Sequence, residues 1–217
     1  METFKSVAVI VAHPDDETLW AGGTILNHPE WEVYVISLCR GEDKDRAPKF
    51  FHVLNELGAL GNMGNMDDSP ELLPLDQKEV MQHIVDLLPI LTFDLIITHH
   101  PNGEYTRHLR HEEISEAVIM LWHEGTLKAR ELWCFAYEDG AREYYPRPVL
   151  TANIIHQLDK EIWLNKYRLV TEIYGFESTS WEAQTTPQTE SFWQFTKPED
   201  AVRWLNHQRK NESIDNV

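Results

Sequence analysis

Two short runs of this chain carry residue types that could do chemistry. The first, His13-Pro14-Asp15-Asp16-Glu17, sets an imidazole beside three consecutive carboxylates. Carboxylates this close repel one another unless a cation, a helix N-terminus or hydrogen bonds offset the charge. Pro14 stiffens the turn, so that His13 and Asp16 can curl toward one point while Asp15 projects elsewhere. The second run, THHPNGEYTRHLRHEE, holds four histidines (His99, His100, His108 and His111) within 13 residues. Its closing H-x-x-H has i,i+3 spacing, which brings His108 and His111 to one side of a helix start. Of the adjacent His99 and His100, only one can face a common site if the chain there is still extended. Imidazole pairs with a carboxylate suit zinc or a similar borderline cation, and an open coordination position makes such a centre catalytic. It acidifies water toward neutral pH and polarises a carbonyl, which is the chemistry of hydrolysis.

Each run alone has a bland reading, as a solvated acidic helix cap or as surface histidines. What favours a site is where both fall. SVAVIVA (6–12) reads as a strand buried on both faces, and HPDDE follows it directly. DLIIT (94–98) is a second such strand, and the histidine run follows that one. In open α/β sheets ligands bind at the carboxyl ends of strands. Between and beyond them, apolar strands are expected at 32–38 and 131–137. Helices are expected from Glu17, over 46–58, 78–88 and 111–125, and from Pro198. Gly22 and Gly23 in the first helix permit close backbone approach. Residues 61–77 read as loop, 152–159 as a further strand and 159–176 as one long amphipathic helix. The stretch 179–193 reads as a polar cover with embedded aromatics. This alternation gives an α/β layered fold with a mainly parallel sheet. The segment 138–148 is too short and aromatic to serve as a linker, so one domain is expected over 1–217. Its core would span 5–195, with a C-terminal helix at 198–212.

Composition narrows the partners. Thirty-six acids against 19 bases give a net charge of −17, which repels the phosphates of nucleic acid and anionic membranes. No apolar run approaches the ~20 residues of a membrane span. Two cysteines make no disulfide framework and point to a reducing, cytoplasmic compartment. The expected partner is a small molecule, and a homo-oligomer is compatible with this composition. Tyr105, in the loop before the second histidine pair, is placed to line the site, whereas Trp20 reads as helix core. Arg40 and Arg46 could be surface ion-pair members, although Arg46 at a helix start is unfavourable for the dipole and suggests a functional reason.

With Ala12 counted, A-H-P-D-D-E resembles the signature of the LmbE/PIG-L-like metal-dependent N-deacetylases. The likeness extends over about residues 5–195, taking in Arg40-Gly41-Glu42, Arg46 and the second histidine run. It implies a Rossmann-like three-layer sandwich with a zinc site at the strand ends, and removal of an acetyl group from an N-acetylglucosamine-like amino sugar. Carried over by position, His13, Asp16 and His111 would be the metal ligands and Asp15 the general base. His108 would assist the tetrahedral intermediate, and Arg46 would hold substrate. Glu17 reads as a structural acid beside the site. The second motif departs from the family's G-H-P-D-H: Arg110 stands where the family has an aspartate. Near the site, Arg110 would touch substrate and disfavour the charged form of His108. Hydrolysis of another ester or amide bond, and metal or sugar binding without turnover, are the alternative functions.

Overall fold

The computed structural model describes residues 5–105 and 107–215, with side chains as far as 209. Residues 1–4, 106, 216 and 217 of the expected domain span lie outside the described residues. Strands and helices alternate along the first two thirds of the chain: β1 (Lys5–Val11), α1 (Asp16–Leu26), β2 (Trp31–Ser37), α2 (Arg46–Glu56), β3 (Leu60–Met63), α3 (Gln77–Leu87), β4 (Leu95–Thr98), α4 (Leu109–His123) and β5 (Glu131–Phe135). A short hairpin, β6 (Tyr137–Glu138) and β7 (Arg147–Pro148), is followed by β8 (Ile154–Gln157), α5 (Lys160–Arg168), α6 (Trp181–Thr185), β9 (Thr189–Phe195) and α7 (Pro198–Asp215).

The main sheet runs β3-β2-β1-β4-β5-β9-β8, and its first five strands are parallel. Strand β1 is apolar throughout because both of its faces are covered. Val7, Val9 and Val11 pack against α1, α2 and the turn at Leu169–Ile173 on one side. Ala8 and Ile10 face α3, α4 and α7 on the other. The result is a single α/β domain of three layers with a Rossmann-like arrangement. The chain leaves β1 for β2 on one side, while β4 lies on the other, so a crevice opens at the carboxyl ends of β1 and β4. Both histidine runs emerge there. Among the described residues no helix is long and apolar enough to cross a membrane.

Three expectations need correction. The polar stretch 179–193 is not a cover: its end forms β9, which lies between β5 and β8 and is antiparallel to both. Its polar residues are satisfied internally. Ser191 Oγ donates to the Ala136 carbonyl, and buried Glu190 accepts from Lys166 Nζ at 2.7 Å and from the backbone N–H groups of Gly23 and Thr24. Gly23 is also closely packed from the side of β8: a Cβ there would lie 2.2 Å from Leu158. The loop expected at 61–77 begins with edge strand β3, and the long helix at 159–176 gives way after Arg168 to a wider π turn over Leu169–Ile173.

Candidate metal centre

The turn after β1 is strained. Asp15 has φ 144°, a conformation costly for a residue with a Cβ. Buried Glu17 holds it there: Oε2 accepts from the Asp15 N–H at 3.1 Å, and Oε1 accepts from Thr18 Oγ1 and Tyr174 OH. Burial pushes the Glu17 carboxyl up to about 7, against the hydrogen bonds it accepts from Thr18 and Tyr174. The strained turn swings Asp16 inward, where its N-terminal position on α1 also suits a carboxylate.

Three side-chain atoms from three parts of the chain, on His13, Asp16 and His111, converge on one point. Oδ2 of Asp16 lies 3.2 Å from His13 Nδ1 and 3.4 Å from His111 Nε2. His111 Nε2 and His13 Nδ1 are themselves 3.2 Å apart. Donors on a tetrahedral ion with bonds of about 2.0–2.1 Å would sit about 3.3 Å from one another. Each of the three residues also has a partner on its far atom. His13 Nε2 lies 3.2 Å from Asp68 Oδ1, Trp20 Nε1 donates to Asp16 Oδ1 at 3.1 Å, and His111 Nδ1 lies 2.6 Å from Glu104 Oε2. Such outer partners orient metal-binding side chains and fix imidazole tautomers. The chain therefore carries a His/Asp cluster suited to a divalent cation. His108 and His99 add to this set: the His13-His108-His111 and Asp16-His99-His111 groupings each bring donor atoms within 4.8 Å of one another. Buried His99, however, uses its Nε2 lone pair to accept from the Ala12 N–H at 2.9 Å.

The electrostatics ask for positive charge at this point. Burial alone would lower the His13 imidazole, but the hydrogen bonds to Asp16 and Asp68 outweigh it and raise its pKa to about 10. Asp16 sits well below the usual carboxylate range: burial opposes this, and the imidazoles of His111, His99 and His13 prevail. Asp15, beside it, moves the other way. Burial and the charges of Asp16 and Glu17 raise it, against His13 and Arg46. His111 is lowered by burial. His108 is pushed down to about 3 by burial and by the neighbouring His111 and His13, and its Nδ1 is buried without a hydrogen-bond partner.

A cavity of about 790 Å³ opens above the cluster, within the usual range of ligand pockets. His13, Asp15, Asp16 and His108 line it. Arg46 does too, with Nη1 3.3 Å from Asp15 Oδ2 and its guanidinium stacked 4.5 Å over Phe176. Tyr105 lines the wall and meets Trp181 edge-on at 4.8 Å. Arg40 lines the rim and binds Asp68 Oδ2 at 2.8 Å.

Arg110 does not face this cavity, which corrects its expected contact with substrate. Its side chain is wholly buried and donates to Glu113 Oε2 at 2.6 Å and to the carbonyls of Asp67 and Leu73. The physical reason is helix phase: Arg110 pairs with Glu113 one turn on, away from the face that His108 and His111 share. Sequence reasoning also missed Glu104, Asp68 and the aromatic wall of the β6–β7 hairpin, where Tyr144 and Tyr145 line the cavity. The one local signal for Glu104 was Asn102-Gly103, a turn dipeptide.

Comparisons with known proteins agree with this geometry. The family model described as PIG-L: GlcNAc-PI de-N-acetylase matches residues 8–122. A protein of Acanthamoeba polyphaga mimivirus, uncharacterized protein L374, is 21% identical over 178 residues, covering 75% of each chain. The N,N'-diacetylchitobiose deacetylase of Pyrococcus horikoshii superposes with a TM-score of 0.67 at 17% identity, over 88% of this chain and 84% of that one. GalB, the 4-carboxy-2-hydroxymuconate hydratase of Pseudomonas putida KT2440, superposes with a TM-score of 0.56 at 17% identity, over 89% and 97%. One fold thus carries both deacetylase and hydratase activity, and the reaction must be argued from the site.

Proposed function

Because the chain belongs to the PIG-L family of GlcNAc-PI de-N-acetylases, we propose that it is a zinc-dependent hydrolase removing an N-acetyl group from an N-acetylglucosamine-like amino sugar. The observation that carries this reading is the convergence of His13 Nδ1, Asp16 Oδ2 and His111 Nε2, 3.2–3.4 Å apart, beneath a cavity that Asp15 also lines. In this reading those three residues hold the cation, and residues 1–217 act as one cytoplasmic catalytic domain with a small-molecule substrate.

A bound cation supplies Lewis acidity, which acidifies water and polarises an amide carbonyl. Asp15 takes the proton of the attacking water. Its raised pKa brings a carboxylate closer to the strength that such a base needs near neutral pH. The same proton then goes to the leaving nitrogen, because an amine anion is too poor a leaving group to depart unprotonated. His108 is held neutral and acts through a ring N–H, steadying the developing oxyanion by a hydrogen bond rather than by a full charge. Arg46 fixes Asp15 and contacts substrate from the cavity wall, while Tyr105 offers an apolar face to a sugar ring. Glu17 supports the strained turn from behind.

A second reading is favoured by the shared hydratase fold: the same water activation could add water across a carbon–carbon double bond. The experiment is a screen of the zinc-loaded protein against N-acetylated sugars, following acetate and the new primary amine. Acetate release with stoichiometric amine supports the deacetylase. No turnover on the sugars, with hydration of unsaturated acids, would replace it with the second reading.

A further inference from the structure

Glu104 lies in the second histidine run but outside its H-x-x-H pair, and its carboxylate is wholly buried among the histidines. Oε2 lies 2.6 Å from His111 Nδ1 and 3.0 Å from His99 Nδ1, while Oε1 accepts from the His100 N–H at 2.8 Å. The chain brings it there by a tight reversal. Gly103 adopts φ +74° and donates its N–H to the His100 carbonyl, so the residue after it folds back onto the end of β4.

We propose that Glu104 is the positioning residue of the metal centre, fixing His111 and His99 together in the tautomer that leaves both Nε2 atoms unprotonated. The inference rests on the ligand reading of His111 given above. The tautomer of His99 is set from its other side. The Ala12 backbone can only donate, so His99 Nε2 must accept, and its proton sits on Nδ1, facing Glu104. Glu104 is thereby an acceptor toward His99, and the same oxygen accepts from His111 Nδ1. His111 Nε2 is left with a lone pair 3.4 Å from Asp16 Oδ2 and 3.2 Å from His13 Nδ1, where a cation would replace the proton of His13.

Three elements are locked by this one carboxylate. His99 hooks the Ala12 amide, immediately before His13, at the end of β1. Ser115 Oγ donates to the His99 carbonyl at 2.6 Å and ties in α4. His111 itself starts α4. His99 is in this account a bracket for the HPDDE turn and not a ligand. The neighbouring acids cannot substitute for Glu104: Glu113 is taken by Arg110, and Glu112 accepts from Arg107 Nη2 at 2.6 Å.

The test is Glu104→Gln, compared with wild type by competition of the metal-free protein with a chromophoric chelator for zinc. Glutamine has one acceptor oxygen and turns an N–H₂ toward a group that is also a donor. Zinc affinity should fall by about 10–100-fold. If wild type binds zinc and E104Q binds it equally well, the role assigned to Glu104 is wrong while the metal centre stands. If wild type itself fails to bind, the metal reading fails first. Should E104Q not fold, ring-nitrogen NMR of the zinc-loaded wild type with isotope-labelled histidine decides. Protons on Nδ1 of both His99 and His111 are expected, and a proton on Nε2 of either would overturn the proposal.

Discussion

The indole of Trp20 donates from Nε1 to Oδ1 of Asp16 at 3.1 Å, four residues back along α1. The bond occupies one carboxylate oxygen and leaves Oδ2 as the one facing His13 and His111. A side chain that the sequence marks as helix core is thus also the outer partner of a proposed ligand. Trp20 is fully buried and its ring packs 4.8 Å from Tyr137, so both roles are met by one residue.

Trp20→Phe separates them. It keeps most of the apolar packing and removes the donor, freeing Asp16 to rotate. Zinc affinity should drop about tenfold, at the lower end of losses for such outer partners. Chelator competition checks this, and unchanged affinity would show that Asp16 needs no such restraint.

Asp15→Asn should keep its zinc and lose about 10²-fold or more in kcat, because the base is removed and the proposed ligands are not. In wild type the acid limb of kcat/KM should lie above the ordinary carboxylate range, since burial and the charge of Asp16 raise the Asp15 pKa. The sign is fixed: a base must be deprotonated, so activity falls as pH drops through that raised value. A limb at the usual carboxylate pH would assign the titration to another group. Metal loss in D15N, with retention in Asp16→Asn, would exchange the two roles.

The parts of this site that the sequence made legible are those governed by local rules. Apolar runs mark β1 and β4, and chemistry follows each at its carboxyl end. The outer partners obey no local rule. Asp68 reaches His13 across 55 residues and Glu104 reaches His111 across seven, through a loop whose reversal depends on Gly103. Strand β9 was hidden for a related reason. Glu190 and Ser191 read as surface residues, yet they are buried because Lys166, the α1 backbone and the Ala136 carbonyl satisfy them.

Proton and metal should compete at His13. In the metal-free protein Asp16 and Asp68 raise its pKa to about 10, so the imidazole is protonated throughout the neutral range. Binding through Nδ1 must release that proton. Apparent zinc affinity should therefore rise about tenfold per pH unit on going from acid to neutral solution. Titrations at several pH values, with proton release followed in weak buffer, measure the slope. A flat dependence would mean that His13 contributes no donor atom.

Arg110 yields the last prediction, because its buried side chain does not line the cavity. Were it beside His108, replacing it with aspartate would favour the imidazolium and, since His108 acts neutral, move an acid limb upward. Its guanidinium is instead fully buried against Glu113, Asp67 and Leu73. Arg110→Asp would set a second carboxylate against Glu113 and leave two carbonyls unpartnered. Arg110→Ala leaves the Glu113 charge buried with only the Leu75 N–H to offset it, and breaking such a buried pair typically costs about 3–5 kcal/mol. Both variants should unfold at lower denaturant concentration, R110D more so than R110A, and residual folded R110A should keep the pH profile of wild type. Denaturant melts together with kcat/KM against pH make the measurement. A stable R110D with a displaced acid limb would put Arg110 back beside His108.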